Sequence, residues 1–357
     1  MANNKNKKMP TSKITKADSK LFRGTAAEVH SFMSNEDILK SIGCNFEVTR
    51  VPHEYKGQTF NEVQHWHRSD NDGLLGVFGS RRQCIQPDTF VDYFRDFCEA
   101  SNKEISLDLV GSLDGGKTFY MASKLTQIQN NDFDKVGDKT DSWLVVTDYY
   151  GESKAPKVMV LFNELVCTNG MTRQIKEKHA AFNHLRAMTF DDVAPVLESA
   201  IAESKAYADM KDRFINTDIK LQRAKDAVQK FFDDEKLEQL RTKTVHNILE
   251  GGLIGGNLST RQNNVWGLVS AMTQYTSHNR TKADDVSDEK TLKSQLDGSR
   301  GYMNKRFIDF LESEMLLNLL LQLFNLSFKP SFTAGFFICF LFTIQNIYGL
   351  IIQFIVL

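Results

Sequence analysis

The sequence predicts an α+β fold: an antiparallel meander of hairpin-linked strands with packed helices, followed by a helical C-terminal region. Two patterns carry this prediction. Short strand-like runs follow one another from about residue 104 to 166, separated by tight turns, which implies an antiparallel meander. From Phe190 to about Glu250 the pattern becomes helical and rich in Ala, Lys, Glu and Leu. A third observation bounds the class: 357 residues with 25% charged and 41% hydrophobic side chains are ordinary globular composition.

The elements follow in order. Residues 1–30 hold seven Lys/Arg against two acids, and residues 1–27 read as a basic, solvated arm. Ser34 opens a helix with Ile38, Leu39 and Ile42 on one face and Gly43 as its stop. Phe46 to Val51 and Gln58 to Trp66 read as strands, and Gly73 to Gly79 as a short apolar run. Pro87 starts an amphipathic helix with Phe90, Tyr93, Phe94 and Phe97 along one stripe. Strands are then expected near 104–110, 117–125, 142–148 and 157–166, with turns at Asp114-Gly115-Gly116 and after Tyr150. Asn169-Gly170 reads as a turn. Two or three helices fill residues 190–250, Gly251 to Gly256 ends that block, and helices near 263–275 and 292–311 complete the chain. The domain reading is an arm (1–27), a sheet-rich α+β region (28–189), a helical region (190–311) and a hydrophobic tail (312–357). From Pro330 onward the tail has no charged residue. It reads either as a membrane anchor or as out-of-frame translation, because the composition changes abruptly after Glu314.

Net charge is −1, so whole-chain electrostatics do not call for a polyanion. Five cysteines at 44, 84, 98, 167 and 339 lack C-x-x-C spacing, so no zinc site, disulfide framework or other cofactor is expected. Cys167 with His179 or His184 could form a nucleophile–base pair, but no activating context is legible. On a strand, His65 and His67 share a face, with His53 as a third candidate ligand and Asp70 near; packing at the sheet surface is the favoured role over metal ligation.

Gly111 to Thr118 matches the phosphate-loop pattern G-x-x-x-x-G-K-[ST] letter for letter. In a nucleotide-binding ATPase, Gly111, Gly116, Lys117 and Thr118 would cradle phosphates and Asp148 would hold magnesium. The same segment is a strong hairpin signal, and the meander around it favours the hairpin. Arg68, Arg81, Arg82 and Lys117 could instead line a phosphate groove, with Tyr120, Tyr149 or Tyr150 as stacking platforms for bases.

Several of these segments together carry a resemblance. They are Arg68-Ser-Asp70, Leu75-Gly-Val77, Ser80-Arg81, Ile85-Gln-Pro87, Gly111 to Lys117, Trp143-Leu-Val-Val, Leu165 to Gly170, His179, Trp266-Gly-Leu and Ala271 to His278. In this order, from about residue 28 to 311, the chain resembles a large phage- and plasmid-borne family defined by a domain of unknown function (DUF932). The resemblance implies a strand after the glycine pair and a family end near Leu311. It also implies acids in the terminal Thr-x-Tyr-x-x-His stretch, where this chain has Gln274 and Ser277. It brings no activity. Its outline is similar to that of single-strand annealing recombinases. The expectation is therefore a cytoplasmic protein of DNA metabolism that can self-associate and binds single strands without catalysis, with a nucleotide-dependent ATPase and a protein-interaction module as alternatives.

Overall fold

In the computed structural model, the described residues are 21–30, 32–101, 105–125, 137–154, 156–164, 169–174, 190–237, 239–278 and 288–327. The chain divides into residues 1–307 and residues 308–357. Within the first unit lie two antiparallel sheets. One has six strands in the order β1-β5-β6-β7-β8-β9: β1 Ala26–Glu28, β5 Leu109–Leu113, β6 Thr118–Lys124, β7 Thr140–Tyr149, β8 Lys157–Glu164 and β9 Asn169–Gln174. The other joins β2 Val48–Tyr55, β3 Gln58–Arg68 and β4 Leu74–Gly79. The helices are α1 Asn35–Ser41, α2 Pro87–Ala100, α3 Phe190–Ile215, α4 Leu221–Asp234, α5 Gln239–Asn247, α6 Val265–His278, α7 Asp288–Asp297 and α8 Ser299–Ser327. The architecture is α+β, with helices concentrated toward the C-terminal end.

Local chemistry explains most boundaries. Ser34 caps α1 by accepting a bond from the Asp37 N–H. Pro87 sits in the first turn of α2, where a missing N–H costs nothing. Lys56 and Gly57 both take positive φ, 51° and 78°, as a two-residue type I′ hairpin requires. Tyr55 therefore pairs with Gln58 and the whole β2–β3 register follows.

The central sheet is covered on both faces. On one, Leu109, Tyr120, Trp143, Val145 and Leu161 join Leu292 and Leu296 of α7 and Leu21 and Phe22 in a single core cluster. On the other, Phe119 meets Phe90 of α2 edge-on at 5.4 Å, and Phe162 stacks on Tyr207 of α3 at 4.0 Å. Full burial on both faces is why these strands read as near-continuous apolar runs.

Three expectations shift. Residues 21–27 are not a solvated arm. Phe22 stacks on Tyr120 at 5.6 Å and Ala26–Glu28 pairs with β5 as an edge strand, because burying an aromatic ring outweighs the ordering of a short segment. Residues 1–20 lie outside the described residues. Asn169 and Gly170 open β9 rather than a turn, pairing with Glu164 and Asn163. The single helix expected over 292–311 is two, α7 and α8, divided at Gly298. α8 runs past the expected tail boundary at 312, while residues 328–357 lie outside the described residues. Among the described residues no helix is long and apolar enough to cross a membrane.

Candidate functional site

The phosphate-loop segment is a hairpin. Leu113 pairs with Thr118, and between them Asp114, Gly115 and Gly116 all take positive φ. Three such residues suit a tight reversal far better than a helix start. The ring of Tyr120 fills the space beside Gly111, where a Cβ would sit 2.2 Å from it. The Asp114 N–H donates to the Glu289 carboxylate of α7, so this backbone donor already has an anion. Thr118 is buried at the start of β6. Asp148 lies on the adjacent antiparallel strand, paired with Phe119. The nucleotide-site assignment to Gly111, Gly116, Lys117, Thr118 and Asp148 is therefore corrected: the strand–loop–helix geometry that aims several N–H groups at phosphates is not formed. Asp148 is a buried carboxyl whose pKa is pushed up to about 6 by burial, against the pull of the Tyr149 N–H and Arg82.

The groove assignment also changes. Tyr120 and Tyr149 are 0% and 1% exposed, so neither can stack on a base, and Tyr150 is buried as well. Arg68 chelates Asp70 at 2.7 and 2.9 Å and donates to the carbonyls of Gly115 and Gly43, tying β3 to the β5–β6 turn. Arg82 donates to the carbonyls of Tyr149 and Lys154. Its guanidinium lies 4.3 Å from the Phe78 ring centroid and 5.3 Å from that of Trp66, a cation–π arrangement. Both arginines are occupied in holding the fold together. Arg81 is exposed and Lys117 half-buried.

A buried ion cluster lies between sheet and helices. Asp138 accepts bonds from Arg261 at 2.6 Å, Thr260 at 2.9 Å and the Trp266 indole at 3.1 Å. Arg261 also reaches Glu164 at 2.9 Å, and Lys211 donates to the Asp138 carbonyl and Thr140. Burial would raise the Asp138 pKa, yet Lys211 and Arg261 hold it below the usual carboxylate range. The cluster pairs two cations with two anions and is sealed from solvent, so it fastens β8 to α3 and α6 rather than meeting a ligand. The described thiols are also quiet. Burial pushes Cys84 and Cys98 up to about 12, far from the thiolate that a nucleophile needs. Cys167, His179 and His184 lie outside the described residues.

The exposed chemistry is on the three-stranded sheet. One face buries Trp66 and Phe78. By the strand register, which shifts between Pro52 and His53 and between Trp66 and His67, the other carries Thr49, Val51, His53 and Tyr55 of β2, Gln58, Phe60, Val63, His65 and His67 of β3, and Leu74 and Val77 of β4. Successive rings lie close along it: His67 to His65 at 6.2 Å, His65 to His53 at 5.1 Å and His53 to Phe60 at 5.8 Å between centroids. Tyr55 is 59% exposed with the Lys56 ammonium 5.3 Å from its ring centroid. No strand residue on this face is a carboxylate. Asp70, just beyond β3, is engaged by Arg68. Among the described residues no group of three or more His, Cys, Asp or Glu is placed to hold a metal ion. The histidines were visible in the sequence as same-face candidates, whereas Tyr55 and Phe60 were missed. The signal that finds them is the Lys56-Gly57 turn, since its register puts residue 55 opposite 58 and 53 opposite 60.

No curated protein and no solved structure matches this chain. A family model described as "Domain of unknown function (DUF932)" matches residues 74–297, a narrower span than the motif order suggested, running from β4 to the end of α7. That match covers more than half of the sequence, and the chain belongs to this family.

Proposed function

We propose that this chain is a non-catalytic single-stranded nucleic-acid-binding protein of DNA metabolism, and that it binds through the ring-bearing face of β2–β3–β4. Phage or plasmid origin, a place in the host cytoplasm and self-association belong to the same reading. The observation that carries it is the carboxylate-free row of rings at His67, His65, His53 and Phe60, extended by exposed Tyr55. Aromatic side chains offer stacking faces to any unpaired base, at about 1–3 kcal/mol per base, whereas a duplex keeps its bases stacked internally. Among the described residues the exposed cations of this small sheet and its ends are few, with Arg50 on β2, Lys56 in the β2–β3 turn and Arg81 just past β4, so stacking outweighs phosphate neutralisation and the salt dependence is shallow.

The test is titration of the full chain with labelled single- and double-stranded oligonucleotides at low and moderate salt. Preference for single strands, weakened at least tenfold by Tyr55→Ala with Phe60→Ala, supports the reading. Absence of binding at low salt sinks it. Val51, Leu74 and Val77 on the same face are also exposed, and they favour a second reading in which a protein partner docks there. That reading takes over if oligonucleotides fail to bind while changes on this face abolish a protein association.

A further inference from the structure

We propose that His53 and His65 form a binding site for a divalent transition-metal ion of the copper, nickel or zinc class. The proposal stands on the ring geometry and is independent of nucleic-acid binding. His53 Nδ1 and His65 Nε2 are 2.9 Å apart. The ring centroids are 5.1 Å apart and the planes differ by 4°, so the rings meet edge to edge, nearly coplanar, with a hydrogen bond along the line between them. One nitrogen donates and the other offers its lone pair. If the donor ring shifts its proton to its other nitrogen, two lone pairs face the same gap and no net proton is released. With metal–nitrogen bonds of about 2.0–2.1 Å, two nitrogens at adjacent corners of a square-planar or tetragonal site lie about 2.9 Å apart. The two nitrogens already stand at that spacing, and a turn of each ring by roughly 45° aims both lone pairs at one ion, with water filling the other corners.

His67 strengthens the site. Its Nδ1 lies 2.9 Å from the Asp72 carbonyl oxygen, which can only accept, so Nδ1 is the donor and the lone pair of the neutral ring is on Nε2. A ligating imidazole is commonly oriented by this kind of bond from its other nitrogen. His67 lies 6.2 Å from His65 between centroids on the same face. The strand residues of this face bring no carboxylate, so the ligand set is nitrogen-rich, which suits copper, nickel and zinc over magnesium or calcium. The sequence pattern alone favours a surface or packing role for these rings; the in-line pair adds two ring nitrogens facing one gap.

The experiment strips the full-length protein with a chelator and titrates it separately with copper(II) and zinc(II) by calorimetry, with electron paramagnetic resonance on the copper form. The expected result is one ion per chain for at least one metal, with nitrogen couplings in the copper spectrum. Binding should weaken at least tenfold in His53→Ala and in His65→Ala, and a few-fold in His67→Ala. It should also weaken as pH is lowered, because the ligating nitrogens must be unprotonated. Circular dichroism of each variant, and His53→Gln as a second substitution, separates loss of the site from loss of fold. Equal stoichiometry and affinity in the His53→Ala/His65→Ala double variant, or no binding of either metal, overturns the proposal.

Discussion

On β6 every side chain from Thr118 to Ser123 is buried, whereas on β2 only Val48 is buried and six of the seven residues after it are exposed. The two sheets thus use their side chains differently. In the six-stranded sheet, covered on both faces, buried charges are paired in the Asp138–Arg261–Glu164–Lys211 cluster. In the three-stranded sheet only one face is packed. The other leaves Tyr55 exposed and His53, Phe60, His65 and His67 half-buried. Contiguous exposed apolar surface marks contact sites more often than scattered residues do, and Val51, Tyr55, Leu74 and Val77 are exposed on this sheet, in contrast to the glycine-rich hairpin.

The comparison can be broken most severely at the buried cluster. Arg261→Ala leaves Glu164 and Asp138 with less compensation in a sealed site, and a loss of about 3–5 kcal/mol is expected, read by denaturant unfolding. A loss within about 0.5 kcal/mol would show that the cluster is open to water. Asp148 gives a pH-dependent effect. Its folded pKa is raised from 3.8 to about 6, so between those values the folded chain holds a proton that the unfolded chain has lost. The stability this group contributes is complete below the lower value and declines as pH rises to about 6. Asp148→Asn should therefore gain stability relative to the unaltered chain across that window, reaching a plateau of up to about 3 kcal/mol above it. A difference that does not vary with pH would refute the shift.

On the open sheet, Tyr55→Ala is expected to cost about 1–3 kcal/mol in single-strand affinity while leaving the unfolding midpoint nearly unchanged. Comparable losses in both would make Tyr55 a packing residue. The smallest effect is expected at the hairpin: Lys117→Ala should change stability within about 0.5 kcal/mol and leave any response to ATP and magnesium unaltered.

Much of the fold was legible because it rests on local signals. The Ser34 cap, Pro87 and the Asp114-Gly115-Gly116 turn all act over a few residues. Phe22 was missed because its reason for order, Tyr120 and Trp143, lies about a hundred residues away. The site was less legible for the same reason. Tyr120 and Tyr149 carry ring chemistry that suits stacking, but only tertiary packing reveals that they are buried. Arg68 and Arg82 read as free cations until the carbonyls they tie are in place. The phosphate-loop letters matched because the pattern records residue types, whereas function needs a helix after them.

The most direct test of the central claim is hydrogen exchange of the full chain with and without a saturating single-stranded oligonucleotide. Slower exchange confined to β2, β3 and β4 is the predicted result. Protection centred on Asp114 to Thr118, with the β2–β3 hairpin unchanged, would contradict the account and return the function to the glycine-rich turn.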